Sequence, residues 1–495
     1  MKNAGYEVDC LNLNHHSGTI KEIVTKQLDN KIYDIVCSGH TGIGYAVIEK
    51  IVQATREHIS KPKVILGGAL ITSEPELMLN ALKPDFEVIG EGEITMVELL
   101  DDIGKNKELK NINGIGYIEN GKLVFTKSRE QIQDLDLLPL PDFDGFGFNE
   151  YLDNMTSDNL YGELDNPRTY PLLASRGCCF FCSFCYHTLG GGYRERKIDN
   201  VINELKGAIE KYKINSIEIY DDLLSINRDR LFELCKKLKE LNCKWTCQLS
   251  VLNLDKELLQ TLKDSGCNTV SFGFESYNQD VLRSMRKPIT PEKINNAIKL
   301  CMEVKMGIQG NFIFGDTAET KETAKETLNY WKENAKGQIL IGFIQPYPGS
   351  EIYKRCVEKG IIKDKLDFIK NKINHTNWYN MTEKMTDEEV LQLKKDILRA
   401  RRKYAYYLIP QIKKIDNQKY NLHKICPFCD KEQIFKNCLI KNKKYFVKVR
   451  QCRDCNMRFF LVSRLYKFTI DYYQQLDFFR RNYLSIRDKF LKKRI

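Results

Sequence analysis

The sequence predicts an α/β protein in which a doubly wound parallel sheet is followed by a partial (β/α)6 barrel and a small four-cysteine module. Short apolar runs alternate with helical patterns near the start, a longer strand–helix alternation follows, and two C-x2-C pairs come last. We expect a sheet domain over 1–125, a connector over 126–168, a barrel over 169–375, a helical linker over 376–425, a four-cysteine ribbon over 426–460 and a basic aromatic tail over 461–495.

The first segment contains three apolar runs, at 33–37, 63–66 and 86–89, that predict buried strands. Apolar residues at helical spacing predict a helix over 46–59, and Asn120-Gly121 predicts the turn of a hairpin. Glycines at the carboxyl ends of the strands suit a ligand that lies across the sheet edge. They are equally typical of ordinary strand-to-helix turns.

A longer strand–helix alternation begins at residue 170 and predicts the barrel, whose chemistry lies at the carboxyl ends of its strands. The predicted strands are 170–175, 214–220, 244–249, 269–273, 310–315 and 338–344. The predicted helices are 198–212, 231–241, 254–263, 291–304 and 322–333.

Composition excludes several classes of protein. The mean hydropathy of −0.43 and the lack of an apolar run near the roughly 18–20 residues of a membrane span exclude a membrane-spanning architecture. The start lacks the pattern of a signal peptide. Without a secretory signal, 17 cysteines indicate reduced thiols or metal ligands and a cytoplasmic location.

The sharpest motif is Cys178, Cys182 and Cys185, spaced C-x3-C-x2-C after the first barrel strand. Three thiolates this close can hold three irons of a 4Fe–4S cube and leave the fourth iron open to a substrate or cofactor. A structural zinc with His187 as fourth ligand is the alternative.

With Phe184 before its last cysteine, this motif resembles the signature of radical S-adenosylmethionine enzymes. In that family S-adenosylmethionine chelates the open iron and is cleaved to methionine and a 5′-deoxyadenosyl radical. The resemblance implies S-adenosylmethionine contacts from Phe184, from Asp222 after the second strand, from Glu275 in a G-x-E motif, and from Gly315 after the fifth strand.

One feature departs from that family. Relatives often carry an arginine after the third strand, in a W-x-x-x-x-R context, where it can meet the carboxylate of the cofactor. Here Trp245 is followed by Thr-Cys-Gln-Leu-Ser, so the sequence leaves the carboxylate-binding residue unassigned.

The amino-terminal segment resembles the Rossmann-like cobalamin-binding domain that precedes the barrel in the largest branch of that family, with its first strand missing. The resemblance implies cobalamin contacts from small, hydroxyl and acidic residues at the strand ends, which are Ser38, Gly39, Thr41, Gly67, Gly68, Gly90 and Glu91. The D-x-H-x-x-G motif that supplies an axial histidine elsewhere is absent. His40 is a conceivable substitute, and we interpret it as a polar loop residue.

A further cysteine motif consists of two C-x2-C segments, one with Cys426 and Cys429 and the other with Cys452 and Cys455. Two C-x2-C knuckles about this far apart can place four thiolates tetrahedrally around zinc. The alternative is an auxiliary iron–sulfur cluster that includes Cys438.

The net charge of +11 is unevenly distributed. Residues 401–495 carry 25 Lys or Arg against 7 Asp or Glu, a local charge of +18, whereas the rest of the chain carries −7. A basic surface with aromatic side chains suits a polyanionic partner, and an amphipathic helix packed on its own protein is the alternative.

We therefore expect a radical enzyme that uses S-adenosylmethionine, a 4Fe–4S cluster, cobalamin and zinc, with electrons from a flavodoxin- or ferredoxin-type donor. The resemblance implies methyl transfer to an unactivated carbon, on a substrate that the sequence does not reveal. The alternatives are a radical cyclisation or rearrangement, and a nucleic-acid-binding factor that acts through the ribbon and tail. Methylthio transfer to RNA is disfavoured, because the enzymes of that group carry three cysteines in the amino-terminal domain and only Cys10 and Cys37 occur here.

Overall fold

The computed structural model describes residues 1–40, 42–105, 108–154, 164–165, 167–187, 190–335, 337–373 and 378–472. Within these ranges, no helix is both long and apolar enough to cross a membrane. The chain forms an amino-terminal sheet domain, a barrel and a carboxy-terminal module, in the predicted order.

The first sheet has five strands in sequential order, with the first three parallel and a hairpin added antiparallel. Its strands are β1 (Ile35–Gly39), β2 (Lys63–Gly67), β3 (Phe86–Val88), β4 (Ile115–Glu119) and β5 (Lys122–Phe125). Its helices are α1 (Ile20–Asn30), α2 (Tyr45–Glu57), α3 (Ala69–Ser73), α4 (Pro75–Leu82) and α5 (Gly92–Lys105). Strand β1 is an edge strand of the described sheet, and residues 1–19 contribute two 3-10 turns and no strand.

The barrel contains six parallel strands in sequential order, which confirms the predicted partial (β/α)6 architecture. These strands are β6 (Thr169–Leu172), β9 (Ser216–Ile219), β10 (Lys244–Leu249), β11 (Cys267–Glu275), β12 (Gly307–Phe314) and β13 (Leu340–Phe343), and a two-stranded ribbon, β7 (Ser175–Arg176) and β8 (Arg194–Glu195), flanks the loop of the cysteine motif. The helices are α6 (Phe148–Asn154), α7 (Ile198–Tyr212), α8 (Arg228–Glu240), α9 (Lys256–Asp264), α10 (Gln279–Ser284), α11 (Pro291–Glu303), α12 (Lys321–Asn334), α13 (Glu351–Glu358) and α14 (Lys365–Asp367).

The carboxy-terminal module begins after a long helix and forms two three-stranded sheets. Its elements are α15 (Asp387–Tyr404), β14 (Tyr407–Leu408), β15 (Gln411–Asp416), β16 (Lys419–Ile425), β17 (Glu432–Leu439), β18 (Val447–Gln451), β19 (Arg458–Val462) and α16 (Arg464–Asp471). The expectation of a helical linker over 376–425 is therefore wrong beyond Tyr404. Residues 411–425 form a hairpin instead, because Leu422 is buried against Phe435 in the core of the module.

The module docks on the amino ends of the barrel strands, away from the predicted chemistry. The Gln451 amide donates to Thr269 Oγ1 at 2.9 Å, near the start of β11. The Arg458 guanidinium donates to the carbonyl oxygens of Ile308, at 3.1 Å, and Gln338. These contacts are buried, so the module closes this end of the barrel.

One hydrophobic core joins the sheet domain to the barrel. It combines Leu70, Ile71 and Met78 of the first domain with Ile352 and Tyr353 of α13, all at most 4% exposed. The two units therefore have a fixed relative position, and the carboxyl ends of both sheets meet at their boundary.

Candidate functional site

The loop of the cysteine motif lies between β7 and β8 and is fixed by backbone hydrogen bonds. The Ser183 amide donates to Met285 O, and the Ile352 amide donates to Ser183 O, each at 3.0 Å. At the base of the loop, the buried Asp221 carboxylate accepts from the Ala174 amide at 2.7 Å and from the Ser175 hydroxyl at 2.6 Å. The positions of the three thiols are thus set by the barrel.

The thiols of Cys182 and Cys185 form a coupled pair. The hydrogen bond with Cys185, and to a smaller extent the charge of Lys287, lowers the pKa of the Cys182 thiol against the effect of burial. The same hydrogen bond raises the pKa of Cys185. The two thiols are therefore close enough to share a proton, which a metal bound to both would displace.

A cavity of about 1530 Å³ lies between the sheet domain and the barrel. It exceeds the roughly 300–1,000 Å³ of a typical small-ligand pocket, so it has room for more than one ligand. It is lined by the carboxyl ends of both parallel sheets. The lining includes Ser38, Gly39, Gly67, Gly68, Gly90, Glu91, Cys178, Cys182, Cys185, Tyr220, Asp222, Gln248, Ser250, Gly273, Glu275 and Lys287.

Of the predicted S-adenosylmethionine contacts, two line this cavity and two do not. Asp222 and Glu275 lie in its wall beside the cysteine loop. Phe184 packs into the hydrophobic core that joins the two domains. The Gly315 amide donates to the buried Glu319 carboxylate at 2.7 Å, and Gly315 is not part of the lining.

Six of the seven predicted cobalamin contacts line the cavity, and Thr41 lies outside the described residues. Gly68 has φ +88°, and a Cβ there would lie 3.0 Å from the His40 carbonyl oxygen, so this turn favours glycine. The His40 ring packs against Gly44, where a Cβ would lie 1.9 Å from it. His40 is not part of the lining, which suits our interpretation of it as a loop residue.

An ion network between the two domains was not foreseen from the sequence. Arg194 donates to both oxygens of the Glu91 carboxylate, at 2.9 and 3.0 Å. Arg176 forms ion pairs with Glu91, at 3.0 Å, and with Glu93, at 2.6 Å. The Ile132 amide also donates to Glu91, at 2.8 Å. Glu91 thus anchors the barrel to the sheet domain at the cavity wall. No local pattern marks such long-range pairs.

His187 lies in the cysteine loop, two residues after Cys185. Burial lowers the pKa of its imidazole, and its buried Nε2 atom has no hydrogen-bond partner among the described residues. The Phe181 ring lies 5.4 Å from the His187 ring, centroid to centroid. A second cavity, of about 600 Å³, shares Cys182, Cys185 and His187 with the first.

The four thiols of the carboxy-terminal module come together as the spacing predicts. Cys426, Cys429, Cys452 and Cys455 place their sulfur atoms within 4.8 Å of one another, with Cys426–Cys455 at 3.7 Å and Cys429–Cys452 at 3.6 Å. A tetrahedron with metal–sulfur bonds of about 2.3 Å has edges of about 3.8 Å, so this set fits one zinc ion.

Cys438 lies outside that set. Arg450 donates to its sulfur at 3.1 Å, and the thiol donates to Phe435 O. The separation of the four sulfurs fits a single ion rather than an auxiliary iron–sulfur cluster that includes Cys438. The module could therefore bind zinc, at the end of the barrel opposite to the large cavity.

Comparison with known families agrees with this architecture. Residues 172–330 match the radical SAM superfamily, and residues 1–100 match the B12-binding domain. The chain belongs to the cobalamin-binding radical SAM enzymes. The expected fold, recognised from the cysteine motif and the glycine turns, is confirmed.

Relatives of this cobalamin-binding radical SAM protein include methyltransferases. An uncharacterized methyltransferase of Pyrococcus horikoshii is 29% identical over 344 residues, which are 68% of this chain and 72% of the relative. The cytidylyl-2-hydroxyethylphosphonate methyltransferase of Streptomyces wedmorensis is 26% identical over 329 residues, 60% of this chain and 61% of its own. The radical S-adenosylmethionine methyltransferase TsrM from Kitasatospora setae has the same fold, with a TM-score of 0.58, 16% identity, and coverage of 72% of this chain and 71% of TsrM.

The cofactors of this radical SAM family are a 4Fe–4S cluster, S-adenosylmethionine and cobalamin, and the residues present fit them. Three thiols on one loop open onto the large cavity, a buried carboxylate lies beside them, and glycine turns of the B12-binding domain line the same space. The geometry therefore allows all three groups to meet a substrate in one enclosure.

Proposed function

We propose that this enzyme transfers a methyl group from S-adenosylmethionine to an unactivated carbon. One observation carries the proposal: the cysteine loop of the barrel and the glycine turns of the B12-binding domain line a single cavity of about 1530 Å³. When bound, the reduced cluster cleaves S-adenosylmethionine to a 5′-deoxyadenosyl radical, and cobalamin carries the methyl group. A common cavity lets both kinds of chemistry act on the same substrate.

The residues of the chain have three tasks in this proposal. Cys178, Cys182 and Cys185 hold three irons and leave one iron for S-adenosylmethionine. The small residues at the strand ends, with Gly67 and Gly68 among them, let a flat ring approach the backbone. The joined hydrophobic core and the ion network hold the two domains together on either side of the cavity.

The cluster needs an electron from outside the protein, and we propose a flavodoxin- or ferredoxin-type donor in the reducing cytoplasm. The second cavity supports an entry point, because it contacts Cys182 and Cys185 without the glycine turns of the sheet domain. Phe181, 55% exposed, lies in its wall. A donor bound there would approach the cluster without entering the substrate cavity.

The positive charge of residues 401–495 supports a further proposal, that the carboxy-terminal segment contacts a polyanion. The aromatic residues of the tail beyond residue 472 lie outside the described residues. An affinity for a polyphosphate or RNA probe that falls steeply as the salt concentration rises would support this contact. An affinity that does not depend on the salt concentration would contradict it.

The proposed function is tested with anaerobically reconstituted protein, cobalamin, S-adenosylmethionine and a low-potential reductant. Wild type should form 5′-deoxyadenosine and S-adenosylhomocysteine together, because one molecule of S-adenosylmethionine is cleaved and another gives up its methyl group. Cys182→Ala should lose the absorbance of the cluster and 5′-deoxyadenosine.

The matched control is Cys179→Ala, which removes an exposed thiol next to the motif that does not line the cavity. It should behave as wild type. Retained 5′-deoxyadenosine in Cys182→Ala would contradict the assignment of the cluster. Formation of 5′-deoxyadenosine without S-adenosylhomocysteine, with cobalamin bound, would favour cyclisation or rearrangement over methyl transfer.

A further inference from the structure

Five exposed lysines lie at one end of the carboxy-terminal module, on β15, on β16 and in the loop between β17 and β18. This lysine patch consists of Lys414, Lys419, Lys441, Lys443 and Lys444. Lys419 pairs with Leu439 across the sheet, and the Ile440 amide donates to Gln418 O at 2.8 Å. The loop therefore starts beside the β15–β16 turn, and the lysines of both segments share one surface.

The loop of the lysine patch is fixed by its own hydrogen bonds. The Lys444 amide donates to Asn442 Oδ1 at 3.0 Å, and the Tyr445 amide donates to Asn442 O at 3.2 Å. The Lys443 ammonium lies 5.9 Å from the centroid of the Tyr420 ring, which packs against the core of the module. The fold thus sets where these charges lie.

The charge of the lysine patch is not neutralised by ion pairs. Elsewhere in the module Lys431 binds Asp454, and Arg453 binds Asp165, each at 2.7 Å. No lysine of the patch forms such a pair with a described carboxylate. Residues 411–425 and 440–446 together contain seven lysines and one acidic residue, Asp416. Uncompensated charge of one sign on a rigid surface is typical of contact with a polyanion.

Aromatic rings lie beside the lysine patch. The Tyr445 ring lies 5.1 Å from the ring of Tyr466, near the start of α16, centroid to centroid. Further along this helix the Phe468 and Tyr472 rings lie 4.5 Å apart, and these residues are 50% and 48% exposed. Half-exposed rings can stack on nucleobases while neighbouring ammonium groups bind the phosphates.

This combination favours single-stranded nucleic acid over a duplex or a lipid surface. The bases of a duplex are stacked on one another, so exposed rings have no free base to stack on. A helix that lies in a lipid surface usually carries its cations beside a long apolar stripe. Here the cations lie on strands and a loop, and α16 has only eight residues.

We propose that the lysine patch and the adjacent aromatic side chains bind single-stranded nucleic acid. The proposal rests on the polyanion contact proposed above, to which it assigns a place and a chemical class. The module closes the end of the barrel opposite to the large cavity, through contacts such as that of Gln451 with Thr269. A strand bound to the patch is therefore a partner of the enzyme that stays outside the cavity.

The test compares wild type with two variants of the full chain. The loop variant carries Lys441→Gln, Lys443→Gln and Lys444→Gln, and the second variant carries Phe468→Ala. All four side chains are exposed, and zinc content and thermal unfolding show that each variant is folded. Binding is measured for a short oligouridylate, for a DNA duplex of the same length and for vesicles of phosphatidylcholine and phosphatidylserine, over a range of salt concentrations.

A control variant has the same change of net charge as the loop variant. It carries Lys206→Gln, Lys236→Gln and Lys239→Gln, which remove three exposed lysines from α7 and α8 of the barrel. Its affinity for the oligouridylate should match that of wild type, because these lysines lie outside the patch.

Wild type should bind the oligouridylate more tightly than the duplex or the vesicles. The loop variant should bind it about tenfold or more weakly, and the slope of log affinity against log salt should fall by about 2, because each phosphate contact on a single strand contributes about 0.7 to that slope. Phe468→Ala should weaken binding about fivefold or more with an unchanged slope, as the loss of one stacked base does.

Four results would overturn the proposal. Wild-type affinity in the loop variant would place the polyanion contact elsewhere in the carboxy-terminal segment. Equal losses in the loop and control variants would reduce the effect to net charge. Tighter binding of the duplex or the vesicles would assign the surface to that partner. A wild type that binds none of the three probes would contradict the polyanion contact itself, whereas methyl transfer is tested separately by 5′-deoxyadenosine and S-adenosylhomocysteine.

Discussion

Arg194, in the ribbon beside the cysteine loop, holds Glu91, in the B12-binding domain, through two hydrogen bonds of 2.9 and 3.0 Å. The two side chains are 8% and 5% exposed. The pair joins the two domains at the wall of the cavity that lies between them. Its geometry therefore sets how the glycine turns face the cysteine loop.

Glu91→Ala should destabilise the protein by about 3 kcal/mol or more, because it leaves the Arg194 guanidinium buried without its carboxylate. Urea unfolding measures the change. The matched control, Glu93→Ala, removes a carboxylate that is 36% exposed and should cost less than about 1 kcal/mol. Equal losses in the two variants would contradict the anchoring role of Glu91.

Glu87 should make the stability of the B12-binding domain fall as pH rises. Its carboxyl is fully buried with no hydrogen-bond partner among the described residues, and this burial raises its pKa to about 9. The pKa of Glu87 is higher in the folded than in the unfolded chain, so Glu87 lowers the free energy of unfolding once the unfolded chain loses this proton. This loss is absent below about pH 4 and grows with pH until the pH exceeds the pKa in the folded chain.

Glu87→Gln should therefore be more stable than wild type at pH 8 and equal to it near pH 4. Thermal unfolding across that range measures the difference. Glu119→Gln, an exposed change on the neighbouring strand β4, is the control and should leave the pH profile unaltered. A Glu87→Gln profile parallel to that of wild type would contradict the burial of a neutral acid.

Zinc in the carboxy-terminal module should stabilise the barrel without entering its chemistry. Cys452→Ala should lose about one zinc per chain and lower the unfolding temperature, since four thiolates define the site. Its iron content should stay at the wild-type level, because the module lies at the amino ends of the strands. The control is Cys438→Ala, which should keep its zinc.

Elemental analysis and thermal unfolding separate the possible results. Zinc retained in Cys452→Ala would contradict the four-thiol site. Iron lost with the zinc, in a protein that remains folded, would contradict the separation of the two metal centres.

The contact between module and barrel should depend on Arg458. This side chain is 7% exposed and supplies donors to the carbonyl oxygens of Ile308 and Gln338 at the starts of two strands. Arg458→Met should destabilise the protein by about 1–3 kcal/mol, because it leaves buried acceptors unpaired. Arg399→Met on the exposed face of α15 is the control, and an equal effect of both changes would contradict the docking contact.

Regular elements of the barrel could be predicted from the sequence because their apolar residues recur with a clear period. Helix α7 and strand β10 have the predicted bounds, and the order of the strands follows from the series of strand–helix units. The thiols could be found because the spacing of the cysteines is itself the signal. Cys235 and Cys301, on the buried faces of α8 and α11, lie in the barrel core.

Long-range pairs could not be predicted in this way. Glu91 was expected at the cavity because the segment resembles a cobalamin-binding domain, but its carboxylate binds Arg194, 103 positions away. The ion pair between Glu275 and Lys287 and the docking of Gln451 on Thr269 also join distant segments. Periodicity within one segment carries no information about such partners, which only the packed structure brings together.

Cobalamin and the 4Fe–4S cluster should share one cavity. EPR of the reconstituted protein tests it without a known substrate, because cob(II)alamin and the reduced cluster are both paramagnetic. The spectrum and relaxation of cob(II)alamin should change when the cluster is reduced, and the change should be absent in Cys182→Ala and present in Cys179→Ala. Identical cob(II)alamin signals with oxidised and reduced cluster in the wild type would contradict the shared cavity.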